Sequence, residues 1–233
     1  MSKGYNNIPS LMQTVLDIPM FEGNGLLAHD VSRLAALDKT MTLNVAPPWT
    51  QLPLSNLTFL DFDATNPDFL ELAQAQSTDM DFTVSAFSLM AWAYFVDIAL
   101  GPMLFCRGLL DTDGWYMNVL NDGTVGLTTN QAAASQVTNT APGAVVTGRW
   151  YQLAATRLTT DVLIYVNAVD ATDTAGVHTD PLTANRKLHI GCYDDEASNG
   201  LHGYIWRPRV WSRQLSAFEM LSIFEQERAL FGV

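Results

Sequence analysis

Gly148-Arg-Trp-Tyr-Gln-Leu-Ala-Ala-Thr-Arg157, followed after a short polar break by Val162-Leu-Ile-Tyr-Val166, decides the fold. The first run alternates large apolar residues with small or polar ones, the period of two expected of a strand with one buried face. The second is short, β-branched and aromatic, and bounded by Asp and Asn, which is how a neighbouring strand reads. Similar runs extend outward in both directions: Phe82–Phe87, Leu89–Val96, Met103–Arg107, Trp115–Leu120, Thr124–Thr129, Lys187–Cys192 and Gly203–Trp211. Between two of them stands Asn121-Asp122-Gly123-Thr124, where an Asp-Gly pair supplies the positive φ of a tight hairpin turn. The segment Ala132–Val146 is rich in Ala, Ser, Thr and Gln without large apolar anchors, and predicts a loop or irregular edge. One helix is expected near the C-terminus. Ser216-Ala-Phe-Glu219 is a capping box, Phe218, Leu221 and Phe224 follow at spacing three, and Gly232 supplies a stop.

Composition narrows the function classes. The 233 residues are 48% hydrophobic and only 15% charged, against about 25% charged in an average globular chain, which excludes an intrinsically disordered protein. No apolar run of about 20 residues is present, so membrane insertion is not expected. Asp and Glu outnumber Lys and Arg 24 to 12, a formal net charge of -12. Nucleic-acid binding by charge needs clustered Lys and Arg on phosphate, so no nucleic-acid partner is expected. Clustered carboxylates can instead hold cations. Cys106 and Cys192 form no CxxC and are expected to be reduced, small buried hydrophobes. The segment Met1-Ser-Lys-Gly-Tyr lacks a basic start followed by an apolar core, so synthesis in the cytoplasm without a signal peptide is expected, with a virion surface as one destination. The sequon Asn56-Leu57-Thr58 is then without consequence.

The order of segments resembles the laminin-G-like branch of the concanavalin A-like lectin/glucanase superfamily. Leu16-Asp-Ile-Pro-Met-Phe-Glu-Gly-Asn-Gly25 with His29-Asp-Val-Ser32 looks like the family's opening strand, and Leu60-Asp-Phe-Asp-Ala64 stands where "L-x-F-D-G" is usual. Gly148-Arg-Trp-Tyr-Gln-Leu-Ala155 resembles "G-x-W-Y-H-V-A", and Leu163-Ile-Tyr-Val-Asn-Ala168 resembles "L-x-L-Y-V-N-G". Leu188-His-Ile-Gly191 resembles "L-x-I-G", and Gly203–Ser216 resembles the closing strand that leads into an "R-x-L-S-x-x-E" helix. Ala64 and Ala168 replace glycines, and Phe87 replaces a Trp. The resemblance implies an all-β fold, a two-sheet antiparallel jelly-roll sandwich with one short C-terminal helix. It would form a single domain over residues 16–233 after an N-terminal arm over residues 1–15, with the opening strand beside the closing one. Phe82, Trp92, Trp150, Tyr165 and Trp211 are the expected inward aromatics.

By likeness to the pentraxin relatives, two acidic loops meet at a calcium site. Asp111 and Asp113 precede the strand at Trp115, and Asp194, Asp195 and Glu196 follow the strand at Leu188, with Asn199 nearby. Consecutive carboxylates on loops supply the six to eight oxygens calcium takes. Trp115, Tyr116, Tyr193 and Trp206 lie near these loops or in the last strand, and aromatic faces stack on sugar rings. Catalysis has no motif behind it. The glucanase E-x-D-x-x-E and E-x-D-x-E patterns are absent, as are HExxH, GxSxG, P-loop and GxGxxG. Asp61-Phe-Asp63 places two carboxylates on one side of a strand but coincides with a structural motif of the family. His29, His178, His189 and His202 have no metal spacing, and His189 is expected half-exposed in its strand. The sequence thus predicts a non-catalytic, lectin-like recognition domain for a glycan or protein surface. Its alternative is a decoration, fibre or head protein of a bacteriophage or virus that contacts other virion proteins or copies of itself and has no small-ligand site.

Overall fold

A computed structural model of the chain describes residues 11–32, 37–45, 47–52, 56–65 and 68–233. Two antiparallel sheets stack face to face. The first runs β14 (Val169–Asp170), β13 (Asp161–Val166), β12 (Trp150–Leu158), β7 (Phe87–Asp97), β17 (His202–Trp211), β5 (Thr58–Phe62), β4 (Trp49–Gln51), and β1 (Thr14–Asp17) also pairs with β17. The second runs β15 (Thr172–Thr174), β11 (Ala134–Thr140), β10 (Val125–Gln131), β9 (Asp113–Val119), β8 (Met103–Leu109), β16 (Leu188–Ile190), β6 (Phe69–Leu72), β3 (Met41–Asn44), β2 (Leu27–Ala28). This is the expected jelly-roll sandwich, and the single α-helix among the described residues, α1 (Ala217–Glu227), carries the expected capping box. The stretch Trp150–Arg157 pairs residue for residue with β7 on one side, while Leu153–Leu158 pairs with β13 on the other. Gly123, at φ 81°, closes the β9–β10 hairpin, and a Cβ there would stand 2.1 Å from the Val145 carbonyl. The opening strand does lie against the closing one, with Asp17 opposite Arg209 and Thr14 opposite Trp211. It begins at Thr14, ahead of the expected boundary.

The alternation along β7 sorts the interior. Leu89, Ala91, Ala93 and Phe95 pack between the sheets with Met117, Val119 and Leu127 of the facing sheet. Met90 points the other way, into a second cluster with Tyr165, Trp211, Leu215, Met220 and Ile223 under α1. Trp92 shares that outward parity and stacks on Phe224 and Phe231 of the C-terminal segment. Of the expected inward aromatics, Phe82 lies between the sheets against Trp115. Trp92, Trp150, Tyr165 and Trp211 are buried on the outer face of the first sheet instead.

Three expectations are corrected. Residues 82–86 are not a strand, because their carbonyls have another partner: buried Arg157 donates through Nη1 to Phe82 O, Thr83 O and Ser85 O at 3.2, 3.0 and 3.3 Å. Ala132–Val146 is not a loop throughout, since Ala134–Thr140 forms β11 and pairs along β10. Its anchors are hydroxyls rather than large apolar groups. Buried Thr138 bonds His178 Nε2 at 2.9 Å and accepts from Gly176 N at 2.9 Å. The helix buries Met220, Ile223 and Glu227 rather than Phe218 and Leu221, and Phe218 is 79% exposed. Glu227 sets that rotation by accepting from Trp92 Nε1 (2.8 Å) and from Arg209 Nη1 and Nη2 (2.9 and 2.7 Å).

Candidate functional site

The two acidic loops do approach each other, but a cation of the chain itself lies between them. Arg186 donates through Nε to Asp113 Oδ1 (2.7 Å) and through Nη1 to Asp194 Oδ2 (2.6 Å), a guanidinium where the sequence suggested calcium. Asp195 is engaged locally, accepting from the backbone N–H groups of Ala197 and Ser198 and from the Ser198 hydroxyl. Asp111 occupies the β8–β9 turn at φ 53°, its N–H facing Asn130 Oδ1 at 3.3 Å. Glu196 accepts from Lys187 Nζ at 2.9 Å, and this bond holds its carboxyl below the ordinary carboxylate range. The five acids therefore divide among different partners instead of converging on one centre.

The aromatic candidates are corrected by burial. Trp115 is 1% exposed between the sheets and donates its indole N–H to Met80 O at 3.0 Å, so it has no free face for a sugar. Trp206 is 4% exposed beneath Phe231. Tyr116 packs with Met103 and Cys106 and meets the half-buried Tyr193 edge to face at 5.8 Å. The Tyr193 hydroxyl accepts from Leu110 N at 2.8 Å, tying the turn after β16 to the β8–β9 hairpin. Asn199 is a clamp: its amide donates to Leu100 O and Gly101 O at 2.9 and 3.0 Å. Cys106 and Cys192 are buried free thiols, and burial pushes Cys106 up to about 12.

His189 is 1% exposed, not half-exposed: the Phe69 ring meets it edge to face at 5.3 Å, and Glu196 of the turn over residues 193–199 stands beside it. On the same sheet face, Glu71 stands directly opposite it in register. Its Nε2 is 3.9 Å from Glu71 Oε2 and 3.5 Å from Glu196 Oε1, and burial lowers its proton affinity.

The open polar surface lies elsewhere, at one end of the first sheet. Strand β5 presents Asp61 directly beside Tyr204 of β17, and Tyr204 in turn lies opposite Tyr94 of β7. The two half-buried tyrosine rings stack at 5.1 Å and 24°. Asp61, the strand partner of Tyr204, also lines a hollow of about 480 Å³ together with Asp63, Asp68 and His202, and beyond His202 a smaller one of about 140 Å³ reaches Asp97. Gly203 makes this turn of the wall possible. The register of β17 shifts between His202 and Gly203, and a Cβ at Gly203 would stand 1.9 Å from the Tyr94 carbonyl. Burial raises the carboxyls of Asp61 and Asp68, whereas Asp63 is held low by the Thr65 N–H bonded to it. The groove is a ring pair beside four carboxylates and one imidazole, suited to hydrogen-bonding hydroxyls and ammonium groups along an apolar platform. The Asp61-x-Asp63 spacing was its one signal in the sequence. His202, Tyr94 and Tyr204 join it only through the fold.

Two antiparallel sheets in this order define a concanavalin A-like jelly roll. The family model described as the concanavalin A-like lectin/glucanases superfamily matches residues 71–220, and the chain belongs to that family. No curated protein sequence matches the chain. Among solved structures it is similar to one of botulinum neurotoxin type C (TM-score 0.67, 14% identity, 94% of this chain and 52% of that one). It is also similar to the binding domain of botulinum neurotoxin DC in complex with SialylT (TM-score 0.67, 12% identity, 93% and 51%). The same domain in complex with rat synaptotagmin II gives a TM-score of 0.64 at 12% identity, covering 93% and 52%. The chain spans about half the length of these structures, and at such identities the likeness is one of fold.

Proposed function

We propose that the chain is a non-catalytic recognition module, built as one unit over residues 16–233, that binds a glycan or a protein surface in the groove between Tyr94, Tyr204, Asp61, Asp63 and His202. The observation that carries this reading is the stacked tyrosine pair set directly beside Asp61, which itself lines an open hollow. The fold neighbours support it: one concerns interaction with two ganglioside molecules, one is a complex with SialylT and one with rat synaptotagmin II. The carboxylates favour binding over catalysis, since Asp63 caps Thr65 N at 2.8 Å and Asp68 accepts from Asp63 N at 3.0 Å. Asp61, Asp63, Asp68 and Asp97 face a single imidazole, so neutral or amine-bearing sugars fit and sialylated ones are repelled.

A glycan array with neutral, amino and sialylated oligosaccharides tests this directly. Binding to neutral or amino sugars should fall by at least about tenfold in Tyr204→Ala and in Asp61→Asn, the loss of one stacked ring or one charge-assisted hydrogen bond. Retention of binding in both variants would remove the groove from consideration. The absence of any glycan or protein ligand would leave the alternative of a particle component without a small-ligand site.

A further inference from the structure

The outer face of the second sheet holds an imidazole that its surroundings do not explain. His189 is 1% exposed, and neither ring nitrogen has a hydrogen-bond partner among the described residues. A buried neutral imidazole carries one N–H and one lone pair, and leaving both unbonded is unfavourable. Its Nε2 points toward two carboxylate oxygens, Glu71 Oε2 and Glu196 Oε1, and the three potential ligand atoms all lie within 4.8 Å of one another. The same two oxygens already hold a cation, since Lys187 Nζ lies 2.7 Å from the first and 2.9 Å from the second.

We propose that Glu71, His189 and Glu196 form a binding site for a divalent transition-metal ion of the zinc class, with the Lys187 ammonium as the internal cation that the metal displaces. The geometry is close to what such an ion requires. Bond lengths of about 2.0–2.2 Å put the edges of a tetrahedron at about 3.3–3.6 Å. The Nε2 to Glu196 Oε1 distance is 3.5 Å and that to Glu71 Oε2 is 3.9 Å, and all three ligand atoms lie within 4.8 Å of one another, so closure asks the two carboxylates to draw in once the Lys187 ammonium between them leaves. Two of the three ligands sit on paired strands, β6 and β16, which fixes their separation. The third sits on the turn that Asp195 holds folded through Ser198, and the Lys187 side chain, 44% exposed, is free to swing into solvent.

Charge and donor chemistry point the same way. Two carboxylates with Lys187 sum to one negative charge, whereas two carboxylates with a divalent ion and a neutral imidazole sum to zero. The imidazole argues against calcium, which takes six to eight oxygens, and for zinc, copper or nickel. The ion would tie the turn over residues 193–199 to the sheet beneath it, leaving a coordination position open to water. This site shares Glu196 with the acidic loops but needs neither Asp113 nor Asp194, and it is separate from the tyrosine groove.

The test is calorimetric titration of the tag-free full chain, stripped with chelator, with Zn2+ and separately with Ca2+, alongside melting curves and the visible spectrum with Co2+. One Zn2+ per chain and a raised Tm are expected. Glu71→Gln and Glu196→Gln, isosteric and partly exposed, should keep their Tm in chelator and bind at least about tenfold more weakly. Lys187→Met, which removes the competing ammonium, should bind about tenfold more tightly, in line with losing one opposing charge at contact distance. His189→Gln should remove the nitrogen-ligand signature from the Co2+ spectrum. The proposal fails if neither the wild type nor Lys187→Met takes up Zn2+, if binding survives both Gln variants unchanged, or if Ca2+ binds as well as Zn2+.

Discussion

Both sheets of this sandwich have a covered outer face, and the two are covered by opposite chemistry. On the first sheet, Trp92 and Trp150 lie under Phe231, with α1 closing over Met90 and Trp211. The roof is apolar, and the buried carboxylate of Glu227, shared by Trp92, Arg207 and Arg209, fastens it to the sheet. On the second sheet the roof is the turn over residues 193–199, held by Arg186 between Asp113 and Asp194 and by Lys187 between Glu71 and Glu196. An apolar roof is stabilised by removing area from water and fails when a buried charge in it loses its partner. A roof of partly exposed ion pairs gains little from each and loses little when one is cut. The first face should therefore be brittle and the second tolerant.

The sharpest way to break this contrast is Glu227→Ala. It strands Arg209, which is 2% exposed, without a counter-charge, and should cost about 3–5 kcal/mol, read as a large fall in Tm with loss of near-ultraviolet ellipticity from the stacked tryptophans. A fall no larger than that of a surface ion pair would erase the distinction between the faces.

Acid probes the interior that both roofs share. His178, fully buried between the Thr129 and Thr138 hydroxyls, is lowered from 6.5 to about 4, first by burial and then by Arg157. As pH falls below 6.5 the unfolded chain takes up the proton first, so stability declines progressively and levels off below about 4, by up to about 3 kcal/mol. Chemical denaturation across that window should show a shallower decline in His178→Gln than in the wild type. Equal slopes would assign the decline to other groups.

A smaller loss is expected for Arg186→Met, about 1–2 kcal/mol, because the pairs it removes are partly solvated. The wild-type Tm should be the same in calcium and in chelator, while this variant, with Asp113 and Asp194 left facing each other, should gain a calcium-dependent rise. Phe218→Ser should change stability by less than about 0.5 kcal/mol, since that ring is 79% exposed. A larger loss there would mean that α1 packs through a face it does not bury.

What the sequence made legible follows from local rules. Trp150–Arg157 alternates because one side of a strand meets a core, Asp122-Gly123 closes a hairpin because glycine accepts φ 81°, and Ser216 with Glu219 caps the helix. Alternation does not say whether the second side of a strand meets water. Trp206 and His189 therefore read as partly open although each is covered by segments from elsewhere in the chain, and Trp92 read as facing between the sheets although it is buried on the other side. The acidic loops were legible as neighbours, but the residue that joins them, Arg186, lies in neither. The groove was half legible: Asp61-x-Asp63 shows its spacing, while His202 and the Tyr94–Tyr204 stack depend on a pairing of β5, β17 and β7 that no local pattern encodes.

Arg207 stands at the irregular stretch of β17, at φ 49°, and its guanidinium reaches two ways. It donates Nε and Nη2 to Asp17 of β1 at 3.0 Å each, and Nη1 to Glu227 of α1 at 3.3 Å. One side chain thus joins an early strand to a late helix, so local opening of either removes a bond from the other. In hydrogen-exchange terms β1 and α1 should behave as one foldon, their amides exchanging together through a single sub-global opening although some two hundred residues separate them.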